Sequence, residues 1–161
     1  MNQKMLKEIL RYEPKTGFFY PTKKRSGVRF GRPAGCKSTY LGYTLIGING
    51  VRYYAHRLAW LYMNGSWPRG QIDHINCKRD DNRWSNIREA SVSQNKCNKP
   101  VRSDNRLGIK GVMKLPYGSY RVRVKYEGEI VHDKVYSTIG EAKKAHAIAC
   151  GKHHGEFARS Q

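Results

Sequence analysis

Four polar side chains between residues 71 and 98 are of types that a hydrolytic site can use. Asp73 and His74 are adjacent, Asn86 follows twelve positions after the histidine, and Asn95 lies nine positions further on. A neutral histidine can accept a proton from water near neutral pH. Carboxylate and amide oxygens are ligands for a hard divalent cation, which keeps other positions for water and substrate. By themselves, these residue types fit either a metal-dependent active site or a structural polar pair at the edge of a turn.

Two short strands and a helix are predicted to position these side chains. Hydrophobic residues flank a polar loop and predict one strand on each side of it; they are Ile72, Ile75 and Ile87. Residues 91–99 are predicted as a helix that Ser91 caps. Neighbours on a strand point to opposite faces unless the strand bends or ends there, so Asp73 and His74 share one site only if the strand does so. The loop itself contains turn-forming residues, which are Asn76, Asp80, Asp81 and Asn82.

The charge of the chain predicts a polyanionic partner. Lys and Arg number 31 against 12 Asp and Glu in 161 residues, a formal net charge of +19. Nucleic acid is the first candidate for such a partner and an acidic membrane surface is the second. No apolar run approaches the roughly 18 residues of a membrane span, and the N-terminus lacks the apolar segment of a signal peptide. The four cysteines form no C-x-x-C pair, which predicts reduced thiols, no structural zinc and a cytoplasmic location.

The N-terminal half alternates predicted elements with one basic loop. Residues 5–12 have apolar side chains at helical spacing, and a short strand is predicted at 18–20. Residues 22–38 are rich in Lys, Arg, Gly and Pro, so they are either a phosphate-contacting arm or a solvated loop. Asn49-Gly50 between residues 43–48 and 51–54 is a strong hairpin signal.

A helix over 56–64, with Gly65 at its end, follows the hairpin. His56 stands where the hairpin meets this helix and is interpreted as a structural hydrogen-bonding residue, because its spacing indicates no metal partner. Arg57 is a candidate phosphate contact.

The segments AHRLAW, IDHIN, DDNRWSNIREAS and QNK, within residues 54–98, resemble the HNH endonucleases, in particular the branch found in phage and group I intron homing enzymes. The resemblance implies that His74 is the general base and that Asn86 is a clamp that aims it. It implies further that Asp73 and Asn95 hold one divalent cation, Mg²⁺ or Mn²⁺. An amide oxygen at the last of these positions favours hard cations over zinc.

The C-terminal segment predicts a small sheet packed on a helix. Strands are predicted at 110–115, 119–126 and 130–136, followed by a helix with a Thr138–Glu141 capping box. In the middle strand, Tyr and Val alternate with basic residues, which predicts a packed face and a face that either contacts DNA or is merely solvated.

The same segment, with GIKGV, YRVRV, EAKKAH and HHGEFA, resembles the ethylene-response-factor (apetala-two) DNA-binding domain. This resemblance implies Arg121 and Arg123 as groove contacts. It also implies three phosphate contacts, which are Lys110, Lys114 and Lys125. Tyr120 stands where the plant domains usually carry tryptophan.

Together these features predict an α+β protein. Residues 1–98 are predicted as a ββα-metal nuclease domain with an N-terminal β-hairpin region, residues 99–107 as a linker, and residues 108–161 as a three-stranded antiparallel sheet packed on one helix. The predicted function is site-specific, homing-type cleavage or nicking of double-stranded DNA in a bacterial or phage-infected cell. Nicking by a monomer and double-strand cleavage by a homodimer both fit one active site per chain. A non-catalytic DNA-binding regulator with a decayed nuclease fold and an RNA-binding protein are the alternatives.

Overall fold

A computed structural model describes residues 1–24, 27, 29–101 and 103–158. The chain divides into two compact units, Met1–Ala90 and Ser91–Gln161. The predicted linker at 99–107 thus lies within the second unit, and the predicted functional division of the chain stays a prediction. Within the described residues, no helix is both long and apolar enough to span a membrane.

The first unit begins with a helix and a hairpin. Helix α1 (Gln3–Ile9) starts at Asn2, whose side chain accepts a hydrogen bond from the backbone of Met5. The predicted continuation of this helix to Tyr12 is wrong, because Leu10–Glu13 forms strand β1, paired antiparallel with β2 (Phe18–Pro21). The physical reason is the alternation of buried Leu10 and Tyr12 with more exposed residues, which suits a strand packed on one face.

A three-stranded sheet and a helix follow. Strands β3 (Cys36–Lys37), β4 (Thr44–Ile48) and β5 (Val51–Tyr54) are antiparallel in that order. Asn49 and Gly50 both have positive φ, 50° and 79°, as the tightest hairpin turns require. The residues 22–38, predicted as loop, include β3, and the part of that prediction at Arg25, Ser26 and Val28 lies outside the described residues.

Helix α2 (Ala55–Asn64) ends at Gly65, whose left-handed conformation terminates it as predicted. It buries Leu58 and Leu61 against the elements that precede it, in a core that also contains Leu6, Phe19 and Ile46. The unit closes with the antiparallel pair β6 (Gln71–His74) and β7 (Ile87–Ala90). A 3-10 turn at Trp84–Asn86 leads into β7, so the two predicted strands around the polar loop are confirmed.

The second unit starts with helix α3 (Val92–Asn98), whose Ser91–Gln94 capping box explains its sharp beginning. Strands β8 (Val112–Lys114), β9 (Tyr120–Tyr126) and β10 (Glu129–Tyr136) form an antiparallel sheet with β9 in the centre. Helix α4 (Ile139–His154) has the predicted Thr138–Glu141 capping box. A further 3-10 turn spans Gly155–Phe157. The core lies between the sheet and α4 and includes Val122, Val124, Ala142 and Ala149.

Candidate active site

The β6–β7 pair places Asp73 and His74 in the interior. Asp73 is paired across the strands with Arg88, and His74 with Ile87. Only 3% of Asp73 and 5% of His74 is accessible to solvent. Strand β6 ends at His74. The strand end is the feature on which the sequence argument depended.

Asp73 is held by a buried arginine. Its Oδ2 lies 3.0 Å from Nε of Arg88, and both side chains are largely inaccessible to solvent. Removing one partner of such a pair leaves an uncompensated charge in a low-dielectric site. Sequence reasoning missed Arg88, because the register that sets it opposite Asp73 is visible only once the strand pairing is known.

His74 is oriented by the polar loop. Its Nε2 lies 3.2 Å from Oδ1 of Asn82. The amide of Asn82 is oriented with its oxygen toward His74, because its Nδ2 donates to the carbonyl of Asp80. An amide oxygen only accepts hydrogen bonds, so Nε2 carries the proton and Nδ1 is the acceptor of the ring. Asn82 was predicted only as a loop-building residue.

Burial keeps His74 neutral. Burial lowers the pKa of its imidazole below the usual 6.5, although the Asn82 hydrogen bond and the carboxylates of Asp73, Asp81 and Asp80 act in the opposite direction. A buried imidazole with a lowered pKa is unprotonated near pH 7. Its Nδ1 can therefore accept a proton from water.

Asn86 ties the loop to the strands. Its Oδ1 accepts from the backbone nitrogen of Asn76 at 3.0 Å, and its Nδ2 donates to the carbonyl of Asp81 at 2.7 Å. Asp81 is itself paired with Arg83, which together with Asn76 lowers the pKa of its carboxyl group to about 2. These contacts close the loop that bears Asn82, the hydrogen-bond partner of His74.

The N-terminal hairpin supports the same loop. The hydroxyl of Tyr12 donates to the carbonyl of Asn82 at 2.7 Å, and the backbone nitrogen of Trp84 donates to the carbonyl of Pro14 at 3.0 Å. Gly17 lies against the backbone of this loop: a Cβ added to it would come within 2.4 Å of the carbonyl carbon of Asn82. Nothing in the spacing of the sequence indicated this long-range support.

His56 is a second histidine of the site. The centroids of its ring and that of His74 are 5.1 Å apart, and Tyr43 and Tyr54 lie against its other sides. Only 7% of His56 is exposed, and its Nδ1 has no hydrogen-bond partner within the part of the chain that the structure describes. Burial, with smaller contributions from His74 and Arg57, lowers its pKa to about 3. The sequence offered one indication, since His56 begins the HRLAW part of the HNH resemblance.

This burial predicts an acid-sensitive first unit. A histidine whose pKa is lowered in the folded state stabilises the fold above its unfolded pKa of about 6.5, and that contribution is lost as pH falls toward 3. Between pH 7 and pH 5 we expect His56 alone to lower the free energy of unfolding by about 2 kcal/mol. Urea unfolding followed by tryptophan fluorescence measures this, since Trp60, Trp67 and Trp84 all lie in the first unit.

The variant that isolates this effect is His56→Gln, which removes the titrating ring. Between pH 7 and pH 5, we expect the free energy of unfolding of this variant to fall by about 2 kcal/mol less than that of the wild type. His153→Gln, in the second unit, is the matched control and should unfold as the wild type does. If the free energy of unfolding falls equally with pH in His56→Gln and in the wild type, the acid sensitivity does not come from His56.

Oxygen donors suit the cation expected at this site. The expected ligands are the carboxylate of Asp73 and the amide oxygen of Asn95, and oxygen atoms of these types are hard donors of the kind Mg²⁺ and Mn²⁺ prefer. Asn95 lies on α3 in the second unit and is half-buried. Among the described residues, no group of three His, Cys, Asp or Glu side chains could hold a metal ion.

Two of the predicted DNA-binding residues have backbone partners. The guanidinium of Arg57 lies 3.5 Å from the carbonyls of both Pro68 and Gly70. The amine of Lys110 donates to carbonyls at the C-terminal end of α3, which are those of Lys96, Cys97 and Lys99. Lys110 therefore stabilises the C-terminal end of α3.

The remaining predicted DNA-binding residues lie on the sheet. Lys114 and Lys125 are exposed. Arg121 and Arg123 stand on the face of β9 opposite buried Val122 and Val124, as the alternation predicted. Both guanidinium groups bind the carboxylate of Asp133, a residue that the sequence argument did not single out.

One comparison with known proteins agrees with the central resemblance. Residues 53–97 match the family model described as HNH endonuclease, which confirms the HNH resemblance over that stretch. A solved structure described as "DNA binding and cleavage by the HNH homing endonuclease I-HmuI" is similar at 16% identity and a TM-score of 0.44, covering 96% of this chain and 90% of the other. No curated protein matches the chain.

Proposed function

We propose that this chain is a metal-dependent DNA endonuclease of homing type that hydrolyses phosphodiester bonds. The observation that carries the proposal is a buried, neutral His74 beside buried Asp73, within the residues that match the HNH endonuclease family. Asn82 orients the His74 ring, and Asn86 holds the loop that carries Asn82. Titratable groups with a shifted pKa cluster at functional sites, which favours a catalytic role for this oriented imidazole.

In the proposed reaction, His74 accepts a proton from the attacking water at Nδ1. The bond from Nε2 to Asn82 Oδ1 holds the ring in the required tautomer and is strengthened when the ring becomes positively charged. Asp73 and Asn95 are the proposed ligands of one Mg²⁺ or Mn²⁺ ion. Such an ion, when bound, neutralises charge on the scissile phosphate and on the leaving oxygen. Arg88 holds the carboxylate of Asp73 in place through their ion pair.

The second unit is proposed to hold the DNA. A net charge of +19 favours binding of a phosphate backbone, and the sheet β8–β10 exposes basic residues on one face. We propose that this segment acts as an apetala-two-like DNA-binding domain and supplies most of the sequence preference. One active site per chain cuts one strand per encounter, so a monomer nicks and a dimer is needed to cut both strands.

A non-catalytic DNA-binding regulator is the second candidate function. The observation that favours it is the buried Asp73–Arg88 ion pair, because an arginine on the carboxylate competes with a cation for the same charge. In this alternative the pair would be purely structural and the chain would bind DNA without cutting it.

The test is incubation of the full chain with supercoiled plasmid in Mg²⁺, in Mn²⁺ and in excess EDTA. The endonuclease proposal expects conversion to nicked or linear plasmid with either cation, and none with EDTA. DNA binding by gel shift with no cleavage in any cation would instead support the regulator. Cleavage unchanged by EDTA would contradict the metal dependence.

A further inference from the structure

Asp133 makes an ion-pair network with two arginines on the exposed face of the second unit. Its two carboxylate oxygens accept from Nε and Nη2 of Arg121, each at 2.7 Å. Oδ2 also lies 3.0 Å from Nε and 2.9 Å from Nη2 of Arg123. One carboxylate on β10 therefore binds both arginines of β9.

The strand register explains this geometry. Asp133 is directly opposite Arg123, and Arg121 is opposite Val135, one step along the same face. Cross-strand neighbours on one face lie about 5 Å apart and diagonal neighbours about 7–8 Å apart, a distance that an arginine side chain can span. The network is thus set by the backbone pairing of two strands.

The bonds to Asp133 use only one side of the Arg121 guanidinium. An arginine has five N–H donors in a rigid planar fork. Asp133 accepts hydrogen bonds from the single N–H of Nε and from one N–H of Nη2. The adjacent donors on Nη1 and Nη2 form the end of the fork and point away from the carboxylate. This end-on pair is the arrangement that binds O6 and N7 of a guanine.

The same carboxylate weakens binding of this face to the phosphate backbone of DNA. The two arginines hold the pKa of Asp133 well below its usual range, so it carries its charge at every pH of interest. It reduces the net positive charge of the face that holds Arg121 and Arg123, and like charges repel across an interface. A residue that served only affinity for DNA would not be an acid at this position.

We propose that Asp133 is a specificity-determining residue, which fixes Arg121 so that its free end reads a guanine edge in duplex DNA and which at the same time weakens non-specific binding. The inference rests on the proposed DNA-binding function of the second unit. It assigns opposite effects to one side chain: Asp133 lowers affinity for DNA in general and raises discrimination between sequences.

The test compares the full chain with its Asp133→Asn variant, in EDTA so that no DNA is cut. Selection from a randomised duplex library measures base preference, and competition with a mixed-sequence duplex at fixed salt measures non-specific affinity. We expect Asp133→Asn to bind the mixed duplex about two- to fivefold more tightly and to lose about fivefold or more of the preference for guanine at one position. Glu129→Gln, which removes the same charge near the start of β10, should raise affinity without changing base preference.

Three results would overturn the inference. An Asp133→Asn variant that keeps the full guanine preference shows that the arginines need no carboxylate. A loss of affinity in Asp133→Asn, with an unchanged melting temperature, shows that the acid supports binding rather than restrains it. If Arg121→Ala has the base preference of the wild type, Arg121 does not read DNA. Plasmid nicking by the wild type is measured separately, so the endonuclease proposal stands or fails independently of these results.

Discussion

His74→Ala is expected to lower plasmid nicking in Mg²⁺ by a factor of about 10² to 10⁴, the range that a positioned general base contributes. The imidazole is buried, neutral and oriented by Asn82, so its removal takes away the proposed acceptor for the water proton. Single-turnover cleavage of supercoiled plasmid measures the effect. DNA affinity should stay near that of the wild type, because the proposed binding face lies in the other unit.

Two comparisons make this result specific. His153→Ala removes a histidine from the end of α4, outside the residues that match the HNH family, and should cut as the wild type does. The melting temperature of His74→Ala shows whether the fold survives the loss of a buried ring. Nicking by folded His74→Ala at the wild-type rate would refute the base assignment, although it would leave the endonuclease proposal intact.

Gly17→Ala is expected to damage the site from a distance. Gly17 has φ of +78°, and an added Cβ would come within 2.4 Å of the Asn82 carbonyl carbon and 2.5 Å of the Arg83 nitrogen. Backbone atoms cannot move aside as a flexible side chain can. The left-handed conformation alone costs about 1–2 kcal/mol for a residue with a Cβ, and displacement of the loop adds to it. We expect a fall in melting temperature of more than about 5 °C and a loss of nicking.

Gly50→Ala separates the two causes. Gly50 has nearly the same φ, +79°, but an added Cβ would meet no atom of the described residues within 4 Å. This variant should therefore lose only the stability that the backbone strain costs, and should keep its nicking activity. Tryptophan fluorescence during thermal unfolding reports both variants, since all the tryptophans lie in the first unit. Equal effects of the two substitutions would show that Gly17 does not support the loop.

Local pattern predicted the elements whose causes are local. The Asn49-Gly50 turn, the Gly65 helix end, the Ser91 cap and the Thr138 capping box depend on residues a few positions apart. The alternation in β9 likewise predicted which side chains face the core. The predicted helix through Tyr12 failed because Leu10 and Tyr12 fit both periods over so short a run. Packing against β2, which lies later in the chain, decides for the strand.

The sequence by itself determined the kind of chemistry available: Asp73, His74, Asn86 and Asn95 at fixed spacing, in a strongly basic chain. Only the tertiary structure decided the environment of those groups. The β6–β7 register sets Arg88 on Asp73, the loop sets Asn82 on His74, and the N-terminal hairpin supports that loop through Tyr12 and Gly17. These partners are between 8 and 70 positions apart. A spacing fixes which residues share a strand or a helix, whereas burial and hydrogen bonding depend on contacts that form only when distant segments pack together.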